Sequence, residues 1–95
     1  MYTDKLFNWN DTKNLKLQNE RGLSFEDVLD SIENDKFYGV FSNPSGNFKN
    51  QKVLLVVINN YPCIVPFVET ETEIFLKTII PDRRFKKFID GERDE

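Results

Sequence analysis

VLLVVI, residues 53–58, is the most apolar run in this chain of 95 residues. Three of its six side chains are valines, and β-branched side chains of this kind favour an extended strand. Because every position is apolar, the run predicts a central strand that is covered on both faces, with helices on at least one of them. Six residues are far fewer than the roughly 20 that span a bilayer, so we expect the run to lie in a protein core.

Three other apolar runs accompany this one and predict the rest of a sheet. They lie at residues 37–41, 64–68 and 74–80. The segments between them are short and contain turn-forming residues: a loop at 42–47, a hairpin at 59–62 and an acidic link at 69–73. Short successive links favour neighbouring antiparallel strands, and we therefore predict a mainly antiparallel sheet of four strands.

Two helices are predicted ahead of the sheet. Asn10 offers an N-cap for a first helix from Asp11 to about Glu20, and Gly22 is typical of a helix C-terminus. Residues 6–9, before this helix, alternate weakly and could form a short strand or simply pack against the core.

The second helix, residues 25–33, begins after Ser24, which forms a near capping box with Asp27. The apolar side chains of this segment recur at helical spacing, and they are Phe25, Val28, Leu29 and Ile32. The predicted fold class is thus α+β.

A third helix is predicted at the C-terminal end. Asp82 would cap a helix over residues 82–91, whose apolar stripe is Phe85, Phe88 and Ile89. Residues 92–95 are acidic, and we expect them to fray. A chain of this length supports one hydrophobic core, so we predict a single domain over residues 1–95.

The composition excludes several classes of function. Histidine is absent, which removes the commonest metal ligand and general base, and Cys63 is the only cysteine, so no intramolecular disulfide can form. The polar opening residues do not resemble a secretion signal. These features predict a cytoplasmic protein that does not insert into membranes and needs neither metal nor cofactor.

Basic residues concentrate near the C-terminal end although the net charge is −3. Residues 77–87 contain Lys77, Arg83, Arg84, Lys86 and Lys87 against the single acid Asp82. One interpretation is the solvated face of an amphipathic helix. The other is a phosphate-binding site, in which guanidinium groups at a helix start grip phosphate oxygens beside the strand that bears Lys77.

Other chemistry has little support in the sequence. Cys63 has no histidine to activate it and is expected to pack as a small apolar side chain. Glu69, Glu71 and Glu73 alternate in a way that could cluster carboxylates, but a solvated loop is the simpler interpretation. The four glycines match no phosphate-binding glycine motif.

Both ends of the chain resemble one protein family. FNWNDTKN at residues 7–14 and ERGLSFED at residues 20–27 resemble the opening of BrnT-family toxins, and IFLKTIIPDRR at residues 74–84 resembles their last strand and the turn into their final helix. The three motifs cover roughly a third of the chain. Arg21 and Phe85 depart from the pattern, because BrnT toxins usually have histidine and alanine at these places.

The resemblance implies a RelE/BrnT-like fold and a type II toxin. Such a toxin is a metal-independent endoribonuclease that cleaves mRNA, in some cases on the ribosome, inhibits translation, and is neutralised by a cognate antitoxin that often has a ribbon-helix-helix domain. If the histidine acts chemically in relatives, Arg21 could supply charge but not proton transfer. A non-catalytic interaction module and a degenerate toxin that only binds antitoxin remain the alternatives.

Seven residues are the candidates for the ribonuclease site. Arg83 is the first choice to stabilise the charge of the transition state, with Lys77 and Lys13 as catalytic phosphate anchors or proton-transfer groups. The candidates for RNA binding around them are Arg84, Arg21, Lys86 and Lys87. This hypothesis requires that cations of the first helix and of the C-terminal segment share one cleft.

Overall fold

A computed structural model describes residues 4–42 and 52–87, and in it two helices pack on one face of a mixed six-stranded sheet. The α+β class is therefore confirmed. The elements are β1 (Leu6–Trp9), α1 (Asp11–Arg21), α2 (Phe25–Glu33), β2 (Phe37–Ser42), β3 (Lys52–Ile58), β4 (Tyr61–Glu69), β5 (Glu73–Leu76), β6 (Ile80–Pro81) and a 3-10 turn (Arg83–Phe85).

The strands lie in the order β1-β5-β4-β3-β2, and β6 pairs with β4. The predicted antiparallel sequence of strands is present in β2, β3, β4 and β5. Within the described residues, however, the sheet has six strands rather than four. Leu6–Trp9 forms an additional edge strand that runs parallel to β5, with Leu6 opposite Glu73 and Trp9 opposite Leu76.

The predicted strand at residues 74–80 is divided into β5 and β6. Leu76 lies opposite Phe67 and Ile80 lies opposite Ile64, so three residues on one side face two on the other, which is the geometry of a β-bulge. Pro66 lies at this point of β4, and its carbonyl accepts from the Lys77 N–H at 2.8 Å. Proline has no N–H to return, which interrupts the ladder there.

The caps predicted for both helices are confirmed. The Asn10 side chain accepts from the Lys13 N–H, and α1 ends at Gly22, whose φ of 68° is left-handed. Ser24 and Asp27 form the capping box that begins α2. These caps satisfy backbone groups that the helices leave unpaired at their ends.

Buried polar side chains join the helices to each other and to the sheet. Asn14 is 6 % exposed, accepts from the Phe25 N–H at 2.7 Å and donates to Glu26 at 2.8 Å. This contact lowers the pKa of Glu26. Ser31 donates to the carbonyl of Val57 in β3 at 2.7 Å. The start of α2 is therefore fixed by α1, and its middle by the central strand.

The central strand β3 is covered on both faces, as its sequence predicted. Leu54, Val56 and Ile58 belong to the main core, together with apolar side chains of α1 and α2. Val53 and Leu55 point to the other face, where Phe41 and Phe85 pack against them. The helices therefore cover one face of the sheet. Phe41 of the edge strand β2 and Phe85 of the C-terminal turn help to cover the other face.

Only part of the predicted C-terminal helix lies within the described residues. Asp82 accepts from the Arg84 N–H, as expected of a cap, but the residues that follow it begin as a 3-10 turn. The remainder of the predicted helix to Gly91, the predicted tail at 92–95 and most of the loop predicted at 42–47 lie outside the described residues. Within the described ranges, neither helix has the length and apolar character that crossing a membrane requires.

Candidate nucleic-acid-binding site

The cationic turn, residues 82–87, is fixed to the end of the sheet where β4 begins. The Asp82 N–H donates to the Pro62 carbonyl at 3.0 Å, and the Phe85 N–H donates to the Asp82 carbonyl at 3.2 Å. The Phe85 ring lies 5.9 Å from the ring of Phe41, on the sheet face that the helices do not cover. A backbone bond and an apolar anchor thus hold the turn in place.

Within this turn, Arg84 forms an ion pair with Asp82. Its guanidinium donates twice to this carboxylate, at 2.9 and 2.6 Å, and Asp82 is 9 % exposed. The hydrogen bond from Arg84 lowers the pKa of Asp82, and the same contact raises the pKa of Arg84. Arg84 was predicted to bind RNA, and part of its hydrogen-bonding capacity is used inside the turn.

Arg83 is an exposed cation of the turn whose guanidinium is unpaired among the described residues. Among the residues that the structure describes, none forms a hydrogen bond or ion pair with its guanidinium. Lys87 is exposed as well, and the ammonium of Lys86 lies 5.9 Å from the centre of the Tyr61 ring. Arg83, Lys86 and Lys87 therefore form a local group of positive charge beside the first residue of β4.

Lys77 lies farther along the sheet. It is bonded to Pro66, whereas Asp82 is bonded to Pro62, and four residues of a strand correspond to about 13 Å. Its ammonium lies 6.0 Å from the centre of the Phe75 ring, on the face opposite the buried Ile74 and Leu76. Lys77 is exposed, so it suits the role of a phosphate anchor better than proton transfer, which a desolvated amine performs more readily.

Of the two candidates on α1, only Arg21 contacts the C-terminal strands. Its guanidinium donates to the Ile79 carbonyl in the bulge at 2.8 Å. Lys13 lies in the first turn of α1, about 12 Å from Arg21 along the helix axis. Lys13 is therefore in the helical layer, while Lys77 is on the other face of the sheet. The structure does not bring all seven candidates into one cleft.

A shallow depression of about 540 Å³ lies near the opposite end of β4. It is lined by Asp4, Lys5, Leu6, Glu71 and Thr72. Lys5 is bonded to Glu69 at 2.6 Å beside it, which lowers the pKa of Glu69. Glu69 is seven residues from Pro62, a strand distance of about 23 Å, so this acidic region is separate from the cationic turn.

Cys63 packs as an apolar side chain, as the sequence predicted. Cys63 is buried in the main core, and burial raises its pKa to about 11. Within residues 4–42 and 52–87, no group of three or more histidine, cysteine, aspartate or glutamate side chains is arranged to hold a metal ion.

Sequence reasoning missed Tyr61, which the structure places beside the cationic turn. The available signal was an aromatic residue directly after the asparagine pair of a predicted hairpin. The likeness to BrnT toxins rests on the motifs quoted above. Comparison with known proteins gave no match to this chain among protein-family models, curated proteins or solved structures.

Proposed function

We propose that the chain is a type II toxin with a RelE/BrnT-like fold, a metal-independent mRNA endoribonuclease that inhibits translation in the cytoplasm. The observation that carries this proposal is the position of Arg83. It is exposed and has no partner among the described residues, yet its backbone is fixed between the Asp82 cap and the Phe85 anchor. An unpaired guanidinium carried on a fixed backbone can reach the phosphoryl oxygens on which charge develops in a transition state.

The proposed reaction is an internal transesterification of RNA. The ribose 2′-oxygen attacks the adjacent phosphorus and passes its proton to water, the bond from phosphorus to the 5′-oxygen breaks, and that oxygen takes up a proton from water. The products are a 2′,3′-cyclic phosphate and a 5′-hydroxyl. Negative charge accumulates on the phosphoryl oxygens, and the Arg83 guanidinium can donate two hydrogen bonds to them.

The other candidates have distinct supporting roles in this proposal. Lys86 and Lys87 contact phosphates next to the scissile one, and Lys77 binds the strand about 13 Å away. Arg84 keeps Asp82 in position. Arg21 holds the bulge that precedes the turn through the Ile79 carbonyl. A catalytic role for Lys13 would require the RNA to pass around the sheet edge, and Lys13 has the least support.

The proposed partners are RNA, on or off the ribosome, and a cognate antitoxin of ribbon-helix-helix type. The support for the antitoxin is the BrnT-like motif pair alone. An acidic segment of an antitoxin would also complement the cationic turn, because opposite potentials at an interface promote association.

Expression of Arg83→Ala in growing cells tests the proposal. The wild-type chain should arrest growth and yield RNA fragments that end in cyclic phosphate, and Arg83→Ala should abolish both. The free energy of unfolding of Arg83→Ala should stay within about 0.5 kcal/mol of wild type, since Arg83 is exposed. Lys16→Ala is the control, because it removes one exposed positive charge from α1. Fragmentation that persists in Arg83→Ala would remove Arg83 from the mechanism.

The second candidate function is a non-catalytic interaction module or a toxin that retains only antitoxin binding. The ion pair between Arg84 and Asp82 favours this alternative, because it leaves the turn with fewer free cations than its sequence suggests. Tight binding of a co-expressed antitoxin, with intact RNA and normal growth in its absence, would establish it.

A further inference from the structure

The hairpin between β3 and β4 presents an aromatic ring beside the cationic turn. Asn59 and Asn60 have φ angles of 55° and 64°, the pair of positive values that a type I′ turn requires. This tight turn makes Tyr61 the first residue of β4, opposite Ile58. Tyr61 is 38 % exposed, so a large part of its surface faces solvent although the residues that follow are buried.

A cation of the turn is adjacent to this ring. The Lys86 ammonium is 5.9 Å from the centre of the ring. Pro81 lies opposite Cys63, and the Asp82 N–H is bonded to the Pro62 carbonyl. The cationic turn, which carries Arg83, therefore contacts β4 at the end where Tyr61 lies.

An exposed ring beside an ammonium, next to a turn that also carries a guanidinium, has the chemistry that recognises one nucleotide. The cations attract the phosphate, and the ring offers a flat apolar surface on which a base can stack. Bases in a duplex have both faces covered by their neighbours, whereas the unstacked bases of single strands and loops are open to such contacts.

We propose that Tyr61 is a base-stacking residue of the RNA site and gives this site its preference for unpaired nucleotides. This inference rests on the proposed function, because it assumes that the cationic turn binds RNA. It assigns Tyr61 to substrate positioning and not to the bond-breaking step. Stacking is tolerant of sequence, since every base has a flat face, so Tyr61 selects unpaired over paired RNA without selecting a particular base.

The test uses a series of RNAs of about ten nucleotides, each with one 2-aminopurine at a different position, to cover the usual site sizes for single strands. The fluorescence of 2-aminopurine falls when it stacks. The purified full chain should quench one or two members of the series. Tyr61→Leu should abolish this quenching and weaken binding about 5- to 100-fold, and Tyr61→Phe should retain both properties because the ring remains.

Tyr38→Leu is the matched control. Tyr38 is also 38 % exposed, but it lies on the edge strand β2. Its replacement should leave quenching and affinity unchanged. If Tyr61→Leu fails to fold, Tyr61→Trp provides the second test: the fluorescence that this variant adds over wild type should fall when an all-uridine RNA binds.

The outcomes separate this inference from the proposed function. If wild type binds and cleaves RNA but quenches no probe, or if Tyr61→Leu binds as tightly as wild type, Tyr61 is not a stacking residue and the nuclease proposal stands. If wild type binds no RNA, the proposed function fails, and the assignment of Tyr61 fails with it. Equal affinity of wild type for single-stranded and duplex RNA would also overturn the assignment.

Discussion

Asp82 is a single carboxylate on which the geometry of the cationic turn depends. It caps the 3-10 turn, binds the Arg84 side chain and is 9 % exposed. Because the hydrogen bond from Arg84 outweighs partial burial, its pKa lies below the ordinary value of 3.8. A depressed carboxyl pKa adds stability above the ordinary value, and this stability is lost as the pH falls through the pKa of the folded state.

We therefore expect the free energy of unfolding of Asp82→Asn to depend less steeply on pH in acid than that of wild type. Asparagine can still cap the turn, but it cannot form the ion pair, so the loss at pH 7 should be about 1 kcal/mol, a value kept small by the solvent around the Arg84 side chain. Between about pH 5 and pH 2, wild type should lose more free energy of unfolding than the variant does. Urea denaturation measures both differences.

Glu71→Gln is the control for this experiment, because it removes one acidic charge from an exposed position at the far end of β4. If the free energies of unfolding of wild type and Asp82→Asn fall equally as the pH is lowered, the ion pair contributes nothing to folding.

Among the elements of the fold, the hairpin between β3 and β4 depends most directly on two neighbouring residues, Asn59 and Asn60. Both turn residues have positive φ, and a type I′ turn prefers glycine at its second position. We expect Asn60→Gly to raise the free energy of unfolding by a few tenths to about 1 kcal/mol. Asn60→Ala should lower it by about 1 kcal/mol, because alanine is strained in the left-handed region.

Urea denaturation of the two variants measures this difference. A loss of the same size in both would mean that the asparagine side chain, and not backbone strain, governs the turn. Quenching of the RNA probes by Asn60→Gly should remain as in wild type, since the position of Tyr61 is preserved.

The elements that sequence predicted best are those set by neighbouring residues. Asn10, Gly22 and Ser24 act within a few positions of themselves, so their cap patterns were sufficient to place both helices. The division of the last predicted strand depends instead on Pro66 in another strand. The carbonyls of Pro62 and Pro66 both accept from the segment that follows β4, and neither proline has an N–H with which to complete that ladder. This interruption can be recognised only when the pairing of the strands is known.

For the molecule as a whole, charge is divided between the two ends of β4. Arg83 and its neighbours lie at one end and the acidic residues from Glu69 to Glu73 at the other. We expect RNA binding to weaken steeply with salt despite the sequence pI of about 5.0. Each phosphate contacted by a single strand contributes about 0.7 to the logarithmic slope, so Arg83→Ala should reduce the slope by about that amount.

Arg84→Ala provides the comparison within the same turn. Its charge is paired with Asp82, so its removal should change the slope less than Arg83→Ala does. Titrations of a single-stranded RNA at several salt concentrations measure the slopes. Equal slopes for wild type and Arg83→Ala would mean that Arg83 does not contact phosphate.

The candidate site could be predicted from sequence only as a region of excess charge. The count of basic residues identified residues 77–87 as a positively charged segment. It could not show that Arg84 forms an ion pair and Arg83 does not, because pairing depends on side-chain geometry. Of the two candidates on the first helix, Arg21 contacts the C-terminal segment at the Ile79 carbonyl, whereas Lys13 stays in the helical layer. Helical spacing predicts the face of the helix on which a residue lies. The distance of that residue from another element depends on tertiary packing.

The parallel pairing of β1 with β5 ties the fold to the order of synthesis. Leu6 is among the first described residues to leave the ribosome, and its partner Glu73 is among the last. Contacts between such distant positions close slowly and only after the intervening chain exists. A nascent chain stalled before Leu76 therefore has an open sheet edge at β4 and does not yet contain the cationic turn.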